Sequence, residues 1–242
     1  MKVSFDATGE VVVITGGAQG IGMALARAVT ACGGTAVVLD VLKPADPAVE
    51  YVEVDVADRS SVKSAVASVL LRYGRIDGLV AGAAVQPRST VLEMDPAEWT
   101  RTLQVNLDGV VWACQAVVPH MVSRRSGSVV VFTSGMAVTG YAGASAYASS
   151  KAALVAFAKS LAAEVAEHRV RVNVVAPGVI DTEQFRSANA GADRQHWSET
   201  IGIGDPEDVV GPLLFLLSDA AAMTGSVLTR ERAFAKLATF TE

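Results

Sequence analysis

Short apolar runs alternate along the chain with longer stretches in which apolar positions recur at helical spacing. Val11–Thr15, Thr35–Leu39, Ile76–Val80, Ser128–Phe132 and Val170–Val175 are nearly continuous in Val, Ile and Leu, the pattern of strands covered on both faces. Glu50–Val54 reads as another strand and Ser226–Thr229 as a last one. Helical patterns fill the intervals. One runs from Ile21 to Ala31 and stops at Gly33-Gly34; another is opened by Asp58-Arg59-Ser60 and carries Val62, Val66, Val69 and Leu70. A third spans Asp95 to Arg124 with a break near Asn106, followed by Ala146–Glu167 and by Pro206–Leu217 with an acidic first turn. No linker, repeat or shift of composition interrupts the alternation. It predicts one α/β domain over residues 1–242, a doubly wound parallel sheet with helices on both faces and right-handed crossovers.

Composition narrows the class. Of 242 residues 51% are hydrophobic but only 6% aromatic, so the apolar bulk is Ala and Val, which suits parallel strands under closely packed helices. The net charge of −5, without a basic block, argues against nucleic acid or an anionic membrane as partner. Met1–Glu10 has no apolar signal core and no run reaches membrane-spanning length, which predicts a cytoplasmic protein. Cys32 and Cys114 sit in apolar helical stretches and read as buried hydrophobes. His120, His168 and His196 lack metal-ligand spacing, so no metal site is expected.

In a doubly wound sheet ligands bind beyond the carboxyl ends of the strands, where strand order reverses. Thr15–Gly22, Asp40, Asp55, Ala81–Ala84, Ser134 and Pro177–Thr182 each follow a predicted strand and so share one edge. Thr15-Gly16-x-x-x-Gly20-x-Gly22 lies between a strand and a helix. Glycines there let the backbone approach a pyrophosphate, and the helix N-terminus offers it free N–H groups. Asp40 ends the second strand, where a carboxylate accepts ribose hydroxyls and repels a 2′-phosphate. Neither Gly17, Gln19 nor Val41 is basic. A Rossmann-like site for NAD, in preference to NADP, is the expectation.

Tyr147 and Lys151 are four residues apart on one helical face. An ammonium beside a phenol favours phenolate, yet bringing a tyrosine from about 10 to about 7 requires roughly 4 kcal/mol. One exposed ion pair does not supply that. A second positive charge or a dry pocket must contribute.

In order and spacing, Thr15–Gly22, Asp55-Val56, Asn106, Ser134, Tyr147-x-x-x-Lys151, Pro177-Gly178 and Thr182 resemble the classical short-chain dehydrogenase/reductase family. The likeness runs from about Val11 to Gly225. It implies an oxidoreductase in which Ser134 hydrogen-bonds the substrate oxygen and Tyr147 exchanges a proton with it. Lys151 would hold the nicotinamide ribose and keep the Tyr147 pKa low. Asn106, at its helix break, would hold a water joining Lys151 to solvent. The same likeness makes Gly16, Gln19, Gly20, Ile21, Gly22, Asp40, Asp55, Val56, Gly82, Pro177, Gly178, Val179 and Thr182 cofactor-binding, with Asp55 accepting from the adenine amino group and Thr182 binding the carboxamide. Oxidised nicotinamide is itself positive and would be the second charge the tyrosine needs.

Two departures stand out. The family's Asn-Asn-Ala-Gly is here Ala81-Gly82-Ala83-Ala84, which predicts a looser loop. The family's Asp-Gly-Gly after the last strand is here Arg230-Glu231-Arg232-Ala233-Phe234, which makes residues 226–242 an atypical tail. A short substrate lid is expected at about 183–205, with Gly191, Gly202 and Gly204 as hinges. Gln86, Met136, Tyr141, Phe185 and Trp197 are candidate substrate contacts, with Val138 beside them, and Arg88 or Arg186 is a candidate partner for a substrate carboxylate. Helices around Val110, Val111, Trp112, Val117, Ala152, Val155, Ala156 and Phe157 are apolar on more than one face and predict a homotetramer. The expected activity is NAD-dependent interconversion of a secondary alcohol and a ketone, a small-molecule substrate. The alternatives are an NADPH ketoreductase acting on a carrier-bound 3-oxoacyl group, with Arg124 and Arg125 as docking patch, and a non-catalytic dinucleotide sensor.

Overall fold

The computed structural model describes residues 4–191 and 194–230. Its frame is a seven-stranded parallel sheet in the order β3-β2-β1-β4-β5-β6-β9. The strands are β1 (Val11–Thr15), β2 (Thr35–Asp40), β3 (Glu50–Glu53), β4 (Gly78–Ala81), β5 (Gly127–Phe132), β6 (Val170–Ala176) and β9 (Val227–Thr229). The chain winds outward from β1 to β3, crosses back to β4, and winds outward again. Strand order therefore reverses between β1 and β4, which pair from Val12↔Gly78 to Thr15↔Ala81.

Alternation within strands feeds two cores. Val11, Val13, Val37, Leu39, Leu79, Val129 and Val131 pack under α2 (Arg59–Tyr73), α4 (Gly109–Arg124) and α6 (Ser145–Val165). Val12, Ile14, Val38, Val80 and Val130 pack under α1 (Gly20–Ala31) and α9 (Glu207–Leu217). Valine fits here because its branched side chain suits a pleated surface and leaves the helices close to the sheet.

Helix starts follow their caps. Asp58 accepts from the N–H groups of Ser60 and Ser61 at the head of α2. Asp95 accepts from Ala97, with Pro96 in first position, at the head of α3 (Pro96–Leu103). The predicted break near Asn106 is a π-helical turn, Gln104–Asp108, between α3 and α4. Five short elements carry no strong periodicity and have no counterpart in the sequence pattern: α5 (Met136–Thr139), α7 (Glu183–Ala188), α8 (Arg194–Thr200) and the small parallel pair of β7 (Val179–Ile180) with β8 (Ile203–Gly204). Each is too short for its period to register in sequence. The atypical tail is described only to Arg230. Its strand β9 pairs with β6, and Arg230 continues the ladder by donating to the Ala176 carbonyl at 2.9 Å. Ala233 and Phe234 lie outside the described residues.

Candidate active site

A cleft of about 1630 Å³ opens along the carboxyl edge of the sheet at the β1/β4 reversal. Its first end is made by the turn from β1 into α1. Gly16 has φ +70°, and a Cβ there would lie 2.6 Å from the Ala83 Cα; Gly20 has φ +56°. A Cβ on Gly22 would lie 2.6 Å from the Gly16 carbonyl oxygen. The head of α1 has neither a capping side chain nor an acidic residue in its first turn. A backbone cradle with free N–H groups suits a pyrophosphate, and the residues present fit a dinucleotide. Asp40 stands beside it. Its carboxylate accepts from the N–H groups of Ala18 at 2.9 Å and Leu42 at 3.0 Å, which fixes its direction and leaves lone pairs for further donors. Asp55 accepts from the Ala57 N–H at 3.0 Å and pairs with Arg101 at 3.0 Å, so the expected adenine acceptor already carries a cation.

The Ala81–Ala84 loop is not loose. The Thr15 hydroxyl accepts from the N–H groups of Gly82 at 3.1 Å and Ala83 at 3.3 Å. Gln184 donates to the Ala84 carbonyl at 3.0 Å. The fully buried Asn106 holds Val85 from both sides, accepting from its N–H at 2.8 Å and donating to its carbonyl at 2.9 Å. Bonds from three other segments replace the tie that an asparagine in the loop would make.

Asn106 does more than break a helix. Its amide also donates to the Ser150 hydroxyl at 3.1 Å, and that hydroxyl donates to the Tyr147 carbonyl at 2.7 Å. The side chain thus braces α6 against the loop after β4 and does not itself line the cleft. Thr133 completes the brace by donating to the Lys151 carbonyl at 2.8 Å.

At the middle of the cleft Ser134, Tyr147 and Lys151 come together. Burial pushes the Tyr147 phenol above its ordinary value; a hydrogen bond with Ser134 and the positive charge of Arg88 pull it back. Lys151 is 2% exposed, and burial lowers its ammonium to about 8. Its Nζ donates to the Phe132 carbonyl at 3.1 Å and lies 5.8 Å from the centre of the Tyr147 ring. In this geometry the Lys151 ammonium is turned to the Phe132 carbonyl, and the charge of Arg88 also acts on the phenol.

The far end is built from side chains. Phe185 and Trp197 meet edge to face with ring centres 5.2 Å apart. Gln86, Met136 and Tyr141 line the cleft with them, and the Gln86 amide reaches the Met136 sulfur at 3.9 Å. Gly16, Gln19, Gly20, Ile21, Gly22, Asp40, Asp55, Val56, Gly82, Pro177, Gly178, Val179 and Thr182 line the rest, so every predicted cofactor residue faces one cavity. Arg186 does not line it and pairs with Asp181 at 3.3 Å and Glu183 at 3.0 Å. The side chain of His196 lies outside the described residues. The motif that holds Thr15 gives no sign that its hydroxyl anchors the loop after β4, and Asn189 stands in no motif at all; Thr15 acts on Gly82 and Ala83, and Asn189 on Arg88, each far away in the chain.

The family model described as short chain dehydrogenase matches residues 10–193. The chain is 36% identical over 234 residues to a 3-oxoacyl-[acyl-carrier-protein] reductase of Thermotoga maritima, covering 91% of this chain and 95% of that protein. It is 33% identical over 232 residues to a cis-4-hydroxycyclohexanecarboxylate dehydrogenase of Sinomonas cyclohexanicum, covering 90% and 93%. Among solved structures, an aldohexose dehydrogenase of Thermoplasma acidophilum superposes with a TM-score of 0.87 at 30% identity, covering 97% of each chain.

Proposed function

Since the chain belongs to the short-chain dehydrogenase/reductase family of oxidoreductases, we propose that it is an NAD-dependent enzyme interconverting a secondary alcohol and a ketone. The observation that carries this reading is the meeting of Ser134 and Tyr147 over a buried Lys151 midway along a cleft whose other end is a glycine cradle. NAD bound along the cradle would supply the hydride acceptor and, when oxidised, a positive charge. Tyr147 takes the hydroxyl proton in alcohol oxidation and returns it in ketone reduction. Ser134 steadies the oxygen as charge develops on it. Lys151 and Asn106 act behind Tyr147: the first would hold the nicotinamide ribose, and the second braces α6.

Asp40 supports NAD. Among the described residues no arginine, lysine or histidine pairs with its carboxylate, and the neighbouring Val41 and Leu42 are apolar and half exposed. A carboxylate held this way welcomes ribose hydroxyls and repels a 2′-phosphate. The second reading, an NADPH reductase of carrier-bound 3-oxoacyl groups, draws on the relatives that bear that name. Relatives' names also include a cis-4-hydroxycyclohexanecarboxylate dehydrogenase and an acetoacetyl-CoA reductase, so the relatives differ in substrate. The half-buried and exposed apolar positions Trp112, Val155, Ala156 and Phe157 on α4 and α6 support a homotetramer, and a cytoplasmic setting fits an enzyme of this kind.

Purified protein with NAD⁺ and a panel of secondary alcohols tests the reading through the absorbance of reduced nicotinamide. Turnover is expected with NAD⁺ well above NADP⁺, and Tyr147→Phe should lower kcat about 10³-fold. Preference for NADP⁺ and a 3-oxoacyl thioester would establish the second reading; binding of NADH with no turnover would establish a sensor.

A further inference from the structure

Arg88, Arg101 and Arg230 are the arginines that line the cleft. Arg101 pairs with Asp55 and Arg230 with Asp208. Arg88 has no carboxylate partner among the described residues. The acidic side chains of the cleft are engaged elsewhere: Asp40 with backbone N–H groups, Asp55 with Arg101, Glu98 with the Ser89 hydroxyl and Glu183 with Arg186. Charged groups are seldom left without a counter-ion when half-buried, because desolvation costs free energy that only a partner returns. Burial does pull the Arg88 guanidinium below its usual range, and its polar neighbours in the cleft are Tyr141 and Tyr147.

The guanidinium is nevertheless held in one place. Nε donates to the Ala188 carbonyl at 3.2 Å and Nη2 to the Asn189 side-chain oxygen at 2.8 Å. Among the described residues Nη1 has only the Met136 sulfur at 3.9 Å, and the group lies 4.7 Å from the centre of the Tyr141 ring. Asn189 is fixed in turn, its amide donating to the Phe185 carbonyl at 2.8 Å. Of the five N–H donors of an arginine, three are thus engaged, one of them by a weak thioether acceptor. Each terminal nitrogen keeps a free donor, the arrangement a carboxylate takes up in a two-point hydrogen bond.

We propose that Arg88 is a specificity-determining residue that binds a carboxylate carried by the substrate itself. The substrate class is then a hydroxy acid or oxo acid whose alcohol or ketone oxygen meets Ser134 and Tyr147 while its carboxylate meets Arg88. Phe185 and Trp197 would cover the apolar body between them. The proposal rests on the oxidoreductase reading above and names its substrate class. It also separates Arg88 from Arg186, which has its own carboxylates and faces away from the cleft. Were Arg88 only a peg for α7, acids and their neutral amides would be used alike.

The test compares kcat/KM with NADH for acetoacetate, levulinate and a cyclohexanone carboxylate, each beside its carboxamide. The best acid should exceed its amide about tenfold or more, and the ratio should fall to about one in Arg88→Met, with Arg88→Lys between. Equal use of acid and amide by the unaltered protein overturns the proposal while leaving the oxidoreductase reading intact, and needs no variant to fold. If no ketone is reduced, that reading fails instead. Calorimetric titration of the protein with NADH by the cyclohexanone carboxylate and its amide then decides: tighter binding of the acid, lost in Arg88→Met, upholds the anion site, and equal or no binding overturns it.

Discussion

At the end of the cleft around Gly16, Gly20 and Asp40 the shape is almost all backbone, set by one strand–turn–helix unit and the strand beside it. At the end around Arg88, Met136, Tyr141, Phe185 and Trp197 it is almost all side chain, and the contributors come from four separate segments. Crowding differs accordingly. A Cβ on Gly16 meets the Ala83 backbone, whereas a Cβ on Gly135, next to the Ser134 hydroxyl, meets nothing within 4 Å. Backbone shape fixed by glycine suits a ligand that never changes, such as a dinucleotide. Side-chain shape can be altered one residue at a time without disturbing the sheet, which suits a substrate pocket. Between the two ends lies the Ser134–Tyr147–Lys151 group, held by Asn106 and Thr133 from neither end.

The sharpest way to break this contrast is Gly16→Ala. With φ at +70° and backbone atoms 2.6 Å from the new methyl, it should cost about 3 kcal/mol in urea unfolding and weaken NADH binding by fluorescence titration. A loss below about 0.5 kcal/mol would mean that the cradle yields.

Lys151 probes the junction. Its ammonium is lowered to about 8 by burial, from 10.5 in an open chain. Between these values the unfolded chain holds a proton that the folded protein lacks, so stability from this group rises with pH across that window, and below it the buried charge is a constant cost. Lys151→Met should therefore abolish turnover yet raise unfolding free energy by about 2 kcal/mol near neutral pH, with the gain vanishing above about pH 10. A gain that does not change with pH would place the cost elsewhere.

At the side-chain end, Trp197→Ala removes the edge contact to Phe185. It should raise KM about tenfold, keep kcat within about threefold and leave NADH affinity unchanged, in steady-state kinetics and titration. A change in NADH affinity would show that the two ends are not separate. The smallest effect is expected from Gly135→Ala, within about 0.5 kcal/mol in the same unfolding assay.

What the chain disclosed locally was considerable. The apolar runs foretold β1, β2, β5 and β6 to within a residue, because a strand covered on both faces has to be apolar throughout. The glycine turn, Asp40 and the Tyr147–Lys151 spacing were legible for the same kind of reason: each is a requirement of a short piece of backbone. The break at Asn106 was legible as a break, but its purpose was not, since Val85 and Ser150 are its partners only in the folded chain. The loop after β4 looked loose in sequence because its own residues are small; Thr15, Asn106 and Gln184 hold it from elsewhere.

The sequence by itself thus determined the sheet, the glycine turn at its edge and the placing of Tyr147 and Lys151 on one helical face, because strand burial, left-handed glycine turns and helical spacing act over a few residues. Which cations are neutralised was decided only by tertiary structure. Arg88 and Arg186 are equal candidates along the chain, yet folding gives Arg186 two carboxylates close by in sequence and carries Arg88 to Ala188 and Asn189, about a hundred positions away, with no carboxylate partner among the described residues. Charge pairing depends on separations of a few ångströms, and only the folded chain sets those.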